Sequence, residues 1–380
     1  MTALDAIAAP TQADPAATDR RFMAAALAYG RRWLGCAAPN PAVGALVVKD
    51  GRIVGRGATG RGGRPHAEVL ALREAGEAAR GATLYVTLEP CSHHGKTPPC
   101  ADAIVAAGIA RVVAALEDPD PRVCGQGHAR LRASGVALDV GVLAEEARRA
   151  HLGHILRQRE GRPAVLLKLA QTHDGYAAGA EHDPRLRITG PIADLRVHMM
   201  RALCDAIMVG IGTARADDPL MTVRLPGMEG RKPLRGVRDA RLDLSPRSGL
   251  AATARDYSTL VLAGEHANAA RRAALEAAGV EVAPVALIGG RVDLADALRR
   301  LAARGVTRVM SEGGPSVGSG LIGLGLADEV TMVTSPRPLA RRGVPALREA
   351  ARARLCDPAA YRLAAETRAG HDLFSRYEKV

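Results

Sequence analysis

Three residues of this 380-residue chain carry the donor chemistry of zinc: His66, Cys91 and Cys100. One imidazole and two thiolates suit a tetrahedral ion and leave its fourth position to water. An open position marks a catalytic site, because the metal lowers the pKa of its water and supplies hydroxide near neutrality. Glu68 follows His66 by two residues, so it can face the same cavity without ligating. A carboxylate placed there would take a proton from water and pass it to departing ammonia. His93 and His94 are rival imidazoles for the metal; loop structure or substrate contact are their other readings.

A lone H-x-E means nothing, and two cysteines can be core residues. In order, H-x-E at a helix start and then Pro-Cys after a strand form the signature of zinc nucleobase deaminases. His66-Ala67-Glu68 opens a helical run behind Pro65, and Pro90-Cys91 follows an apolar strand. The chain departs from the short form of that signature: eight residues, Ser92 to Pro99, separate the two cysteines.

The elements that must position these residues are legible in part. Helical periodicity over 19–34 has Thr18 or Asp19 as a cap. Strands at 43–49 and 52–57 flank Asp50-Gly51, a hairpin signal. A helix over 66–79, a strand over 82–88, a helix near 101–107 and a strand at 111–116 alternate as in an α/β domain. A weak strand at 136–140 and a helix to about 158 close it. Arg159 to Pro163 reads as a polar joint, so the domains are expected at 19–160 and 161–380. Residues 1–18 read as a disordered tail without the features of a signal peptide.

The second half is expected to hold strands at 164–170, 205–209, 258–262, 306–311 and 328–334, and helices at 195–203, 267–278 and from Ser316. Residues 224–256 are too rich in Arg, Pro and Gly to read. Gly318 to Gly323 fits G-x-G-x-x-G. It lies too far from the strand ending at Ser311, and Asp328 is too near, for a dinucleotide fingerprint.

Length and composition bound the class. The chain suits two domains, and 47% of it is apolar, so each can bury a core. Net charge is +12, but no long Lys/Arg run exists and aromatics make up 2%, too few for base-stacking platforms. Nucleic acid is therefore not the expected partner. No apolar stretch reaches membrane-helix length. Six scattered cysteines point to a reduced, cytoplasmic protein rather than a disulfide scaffold.

The runs Pro39-Asn40-Pro41-x-Val43-Gly44, Pro65-His66-Ala67-Glu68 and Thr87 through Cys100 resemble the bifunctional deaminase–reductase family of riboflavin biosynthesis, whose own motif has the longer cysteine spacing. The resemblance extends over about residues 19–334. It implies an α/β chain with an N-terminal cytidine-deaminase-like three-layer domain and a C-terminal dihydrofolate-reductase-like domain. It implies zinc in the first, NADPH in the second, and a phosphorylated aminopyrimidine as substrate. A 2-amino group would be hydrolysed off first, then the ribosyl group reduced to ribityl. Glu68 would be catalytic, with His66, Cys91 and Cys100 as zinc ligands. Asn40 and the loop from Glu89 to Pro99 would line the first pocket.

Further matches are Lys168-Leu169-Ala170-x-Thr172-x-Asp174-Gly175, then Arg201, then Asp205 through Arg224, and Glu312-Gly313-Gly314-Pro315. By resemblance, Gln171, Arg187, Thr213, Asp217, Gly314, Pro315, Ser316, Val317, Gly318, Ser319 and Gly320 would hold NADPH. Lys168, Arg185, Arg201, Met221, Arg224 and Glu312 would contact the substrate. Physics supports part of this independently: a glycine-rich strand-to-helix turn suits phosphate, arginines grip it with paired donors, and Lys168 in an apolar strand needs a partner. Asp174-Gly175 also reads simply as a turn. The chain departs from the family at Gln171, His173, Arg185 and Arg187, and at Gly236 and Arg238 in a strand that is usually apolar. Competing functions are a tRNA adenosine deaminase with a basic second half, and a zinc-bearing scaffold; Glu68 argues against the scaffold. The family resemblance further implies a homo-oligomer.

Overall fold

A computed structural model of the chain describes residues 14–93, 98–180, 183–184 and 186–380. They form two compact units: one runs from Asn40 to Ile155 and includes the chain up to Trp33; the other holds Leu34–Pro39 and Leu156–Val380.

The first unit contains α1 (Pro15–Arg31), β1 (Gly44–Lys49), β2 (Arg52–Ala58), α2 (Ala67–Ala75), β3 (Thr83–Val86), α3 (Cys100–Ala106), β4 (Arg111–Ala114), α4 (Gln126–Ala133) and β5 (Ala137–Val140), with α5 (Ala144–Glu160) running out of it. Its sheet has the order β2-β1-β3-β4-β5. β1 pairs antiparallel with β2 and β3, whereas β3, β4 and β5 are parallel. The hairpin closes through Asp50 (φ 50°) and Gly51 (φ 73°), the left-handed pair that a two-residue turn requires. Leu84, Val86, Val112 and Val113 are wholly buried, as befits parallel strands covered on both faces.

The first helix starts earlier than expected. Asp14 accepts a bond from the Ala16 amide at 3.0 Å and Pro15 occupies the first turn, so residues 15–18 are helical rather than tail. Asp19, one of the two expected caps, is buried instead. It accepts from the Tyr85 hydroxyl at 2.7 Å and from the Arg111 guanidinium, binding α1 to β3 and β4.

α2 sits directly on β2. A Cβ on Gly57 would lie 1.9 Å from the Ala67 carbonyl oxygen, an approach no side chain permits. Since Ala67 separates His66 from Glu68, this contact sets the height of the helix start. We expect Gly57→Ala to destabilise the first unit by about 2 kcal/mol through overpacking and to lower its zinc content. Calorimetry and metal analysis check this, and an unshifted melting temperature contradicts it.

The second unit contains β6 (Ala164–Gln171), β7 (Tyr176–Ala178), α6 (Pro191–Ala202), β8 (Ala206–Gly210), α7 (Ile211–Asp217), β9 (Leu234–Arg238), α8 (Gly249–Ala252), β10 (Thr259–Ala263), α9 (Ala269–Ala277), β11 (Glu281–Pro284), β12 (Leu287–Ile288), β13 (Arg291–Val292), α10 (Leu294–Ala303), β14 (Arg308–Ser311), α11 (Pro315–Gly323), β15 (Glu329–Thr334), β16 (Val344–Pro345), α12 (Glu349–Cys356), β17 (Tyr361–Ala369) and β18 (Asp372–Lys379). The main sheet runs β11-β10-β9-β8-β14-β6-β15-β18-β17. It is parallel from β11 to β15, and β18 and β17 add an antiparallel edge.

The expected joint at 159–163 is firmly held at Arg162. Its guanidinium is buried and donates to both oxygens of Asp328, at 2.7 and 2.8 Å. Gly318 to Gly323 lies inside α11 rather than in a loop after a strand, consistent with a chance match.

Candidate active sites

In the first unit, three donors converge. His66 Nδ1 lies 3.2 Å from Cys100 Sγ and 3.6 Å from Cys91 Sγ, and the Cys100 amide donates to Cys91 Sγ at 3.3 Å. All three donor atoms lie within 4.8 Å of one another. His66 caps α2, Cys91 follows β3 and Cys100 begins α3, so three element ends aim at one point. Hydrogen bonding to Cys100 pulls the Cys91 thiol down to about 4, and that thiolate in turn pushes Cys100 well above the ordinary thiol range. His66 is raised, chiefly by its hydrogen bond to Cys91. Two sulfurs that cannot both ionise alone, facing an imidazole nitrogen, make a donor set suited to a soft dication.

Glu68 is 4% exposed, and burial pushes its carboxyl up to about 7, where it can exchange protons near neutral pH. Asn40 donates from Nδ2 to the Gly63 carbonyl at 3.1 Å. His93 does not join the converging donors, and His94 lies outside the described residues.

Glu89 departs from the pocket-lining expectation. Its carboxylate accepts from the backbone amides of Asp118 (3.1 Å), Gly125 (2.9 Å) and His128 (3.1 Å). The side chain is committed to holding the segment behind the Pro90-Cys91 turn. A Cβ on Gly127 would lie 1.9 Å from the Pro90 carbonyl, so α4 presses on that turn directly. Sequence reasoning missed this brace and the buried pair His154 Nε2–Asp118 Oδ1 at 2.8 Å. The signal available was Glu117-Asp118-Pro119-Asp120, an acidic run just after an apolar strand.

In the second unit, the expected residues gather at the carboxyl ends of the parallel strands, where open α/β sheets bind ligands. Glu312 follows β14 and pairs with Arg201 of α6, Nε–Oε1 2.5 Å and Nη2–Oε2 2.7 Å. Burial pushes Glu312 up, but Arg201, helped by Lys168, outweighs it and holds the carboxyl below its ordinary range. Burial likewise lowers the Lys168 ammonium, against the pull of Glu312. Arg224 donates to the Thr222 hydroxyl at 3.0 Å, and its amide donates to His198 Nδ1 at 3.2 Å.

Thr213 in α7 accepts from the Gly314 amide at 3.0 Å. Gly314 precedes α11 without a side-chain cap, and Pro315, Ser316, Val317, Gly318, Ser319 and Gly320 form the helix start. A Cβ on Gly210 would meet Val317 at 3.2 Å, so the absence of side chains keeps a cradle open at this helix end. An open helix N-terminus and a glycine cradle fit a dinucleotide's phosphates. Asp217 lies in the last turn of α7, and Gln171 donates to Thr334 at the end of β6.

Two expected contacts are not brought in. The Met221 side chain is 1% exposed and packs in the core with Ile207, Val209 and Val237, because its left-handed backbone (φ 50°) turns it inward. Arg187 stands on the surface beside Asp194 at 3.3 Å. Arg185 lies outside the described residues. Asp174 is a turn: it accepts from Thr172 and from the Leu339 and Ala340 amides, and Gly175 takes φ 89°.

An H-x-E and two cysteines on a deaminase sheet, followed by an α/β unit with a phosphate cradle, define a two-domain zinc deaminase and dinucleotide-dependent reductase. Residues 16–116 match the cytidine and deoxycytidylate deaminase zinc-binding region, and residues 163–351 match the RibD C-terminal domain. The riboflavin biosynthesis protein RibD of Aquifex aeolicus is 39% identical over 84% of this chain and 87% of its own, and that of Escherichia coli 38% identical over 84% and 88%. The crystal structure of a diaminohydroxyphosphoribosylaminopyrimidine deaminase/5-amino-6-(5-phosphoribosylamino)uracil reductase from Thermotoga maritima superposes with a TM-score of 0.82 at 32% identity, covering 96% of this chain and 99% of that one. Acinetobacter baumannii RibD gives 0.83 at 31%, covering 97% and 100%. The chain belongs to the RibD family of bifunctional riboflavin-biosynthesis enzymes. It is a deaminase that uses zinc and a reductase that uses NADPH. Deamination of tRNA is not favoured, and no described helix is long and apolar enough to cross a membrane.

Proposed function

We propose that residues 19–160 hydrolyse the 2-amino group from a diaminopyrimidinone bearing a ribosylamino 5′-phosphate, and that residues 161–380 reduce the ribosyl group of the product to ribityl. The carrying observation is the convergence of His66, Cys91 and Cys100 beside the buried carboxyl of Glu68. Bound by these three residues, zinc supplies Lewis acidity that makes water a nucleophile near neutral pH. Glu68 accepts the water proton and delivers it to the departing amino nitrogen, so ammonia leaves as the ring carbonyl forms. Asn40 orients the ring.

In the second unit NADPH supplies the hydride. Thr213, Asp217, Gln171 and the Gly314–Gly320 segment hold it. Lys168, Arg201, Arg224 and Glu312 hold the substrate, with the arginines on its phosphate. The enzyme works in the cytoplasm, without nucleic acid, as a homo-oligomer.

The test uses the purified full chain, substrate generated in situ, and NADPH, with ammonia release and NADPH absorbance followed together. Ammonia production followed by NADPH oxidation is expected. Cys100→Ser should lose zinc and ammonia release while oxidising NADPH on pre-deaminated substrate. Ammonia without NADPH oxidation would mean that the second unit has another role.

A further inference from the structure

Arg238 ends β9, where its register partner is Gly210, the last residue of β8. The guanidinium lies over that partner: a Cβ on Gly210 would come within 3.3 Å of Arg238 Nη2 and 3.2 Å of Val317 in the first turn of α11. Its Nε is buried and has no hydrogen-bond partner. Among the described residues no carboxylate pairs with it; burial alone acts on it, pulling its pKa down to about 10. Contrast Arg235, three residues earlier and wholly buried. Its Nε likewise has no partner, but its Nη1 and Nη2 donate to the Leu220, Leu250 and Tyr257 carbonyls and the Thr253 and Thr259 hydroxyls. Arg162, Arg201 and Arg308 each have a carboxylate.

A largely desolvated cation with no counter-charge is costly, and such groups are normally paired. Here it stands at the carboxyl end of the sheet, beside the uncapped start of α11, which itself favours an anion. We propose that Arg238 is a phosphate-binding residue of the NADPH site, its missing partner being a phosphate of the dinucleotide. Guanidinium donors on a phosphate oxygen are charge-assisted and directional, and the glycine at 210 gives the group room to approach. The inference rests on placing the cofactor at the α11 cradle. A dinucleotide offers two phosphate sources, the diphosphate bridge and the 2′-phosphate.

The test measures NADPH and NADH binding to the full chain by nucleotide fluorescence, together with the melting temperature of the nucleotide-free protein. Wild type is compared with Arg238→Met and with Thr213→Val, which loosens the cradle. Arg238→Met should bind NADPH about 10- to 100-fold more weakly, the range for one charge-assisted contact. Its nucleotide-free form should melt no lower than wild type, since an unpaired buried charge has been removed. An equal loss for NADH assigns the contact to the diphosphate bridge; a loss for NADPH alone assigns it to the 2′-phosphate. Unchanged binding of both nucleotides by Arg238→Met overturns the proposal, and a lower melting temperature with unchanged binding makes the residue structural. If Thr213→Val weakens binding and Arg238→Met does not, only the assignment of Arg238 fails. If neither variant weakens it, the cofactor lies elsewhere.

Discussion

Glu68→Gln should stop ammonia release almost completely while leaving reduction of pre-deaminated substrate at the wild-type rate. The carboxyl accepts one proton and gives one, and Glu68 is the carboxyl that acts on both His66 and Cys100. Loss of a positioned general acid–base lowers turnover by about 10²–10⁴-fold. Glutamine keeps the shape and the burial, so zinc content should be unchanged, which separates this variant from Cys100→Ser. Given the diaminopyrimidine alone, the variant should consume no NADPH, because the second unit waits for the product of the first. Ammonia release within twofold of wild type would remove Glu68 from the mechanism.

The second large effect is expected at Arg201. Its ion pair with Glu312 is mostly shielded, at 12% and 13% side-chain exposure. Arg201→Met leaves a buried carboxylate with the weaker help of Lys168 and His198, and breaking such a pair typically costs about 3–5 kcal/mol. Glu312 is held below its usual range by Arg201. The pair's contribution is therefore present above the unfolded carboxyl pKa and lost as pH falls through the lower folded value. In the variant the sign reverses: burial now favours the protonated acid, so the deficit should be largest at pH 8 and shrink on acidification. Arg201→Met/Glu312→Gln should recover most of the stability but none of the reductase activity. Urea titrations at two pH values test this. A deficit independent of pH would mean that packing, not charge, is what Arg201 provides.

The first site was legible because its chemistry is local. His66, Glu68, Cys91 and Cys100 sit at element ends that the sequence marks with Pro65, Pro90 and Pro99. The hairpin at Asp50-Gly51 was legible for the same reason, a turn needing two left-handed residues. Residues 224–256 were not. They contain β9, whose Arg235 is fully buried, its Nη1 and Nη2 donating to carbonyls and hydroxyls drawn from 220 to 259. No local pattern announces partners so far apart. Met221 failed likewise, since the resemblance gave its position but not the direction of its side chain. The strands β17 and β18 went unread because β17 is a sheet edge: Arg362, Leu363, Glu366, Thr367 and Arg368 are exposed, which dilutes its apolar signal.

The strand order of the second sheet also sets a timetable for synthesis. β6 is the first strand of that unit to be made, yet its neighbours are β14 and β15, completed only at Ser311 and Thr334. A nascent chain must carry this apolar strand unpaired while well over a hundred further residues emerge. Long-range parallel pairing is intrinsically slow and exposes aggregation-prone surface. The sheet of the first unit is instead built almost wholly from successive strands and can close early. Ribosome-bound chains stopped before β14 should therefore already hold a protease-resistant deaminase unit, followed by a segment that chaperones recognise.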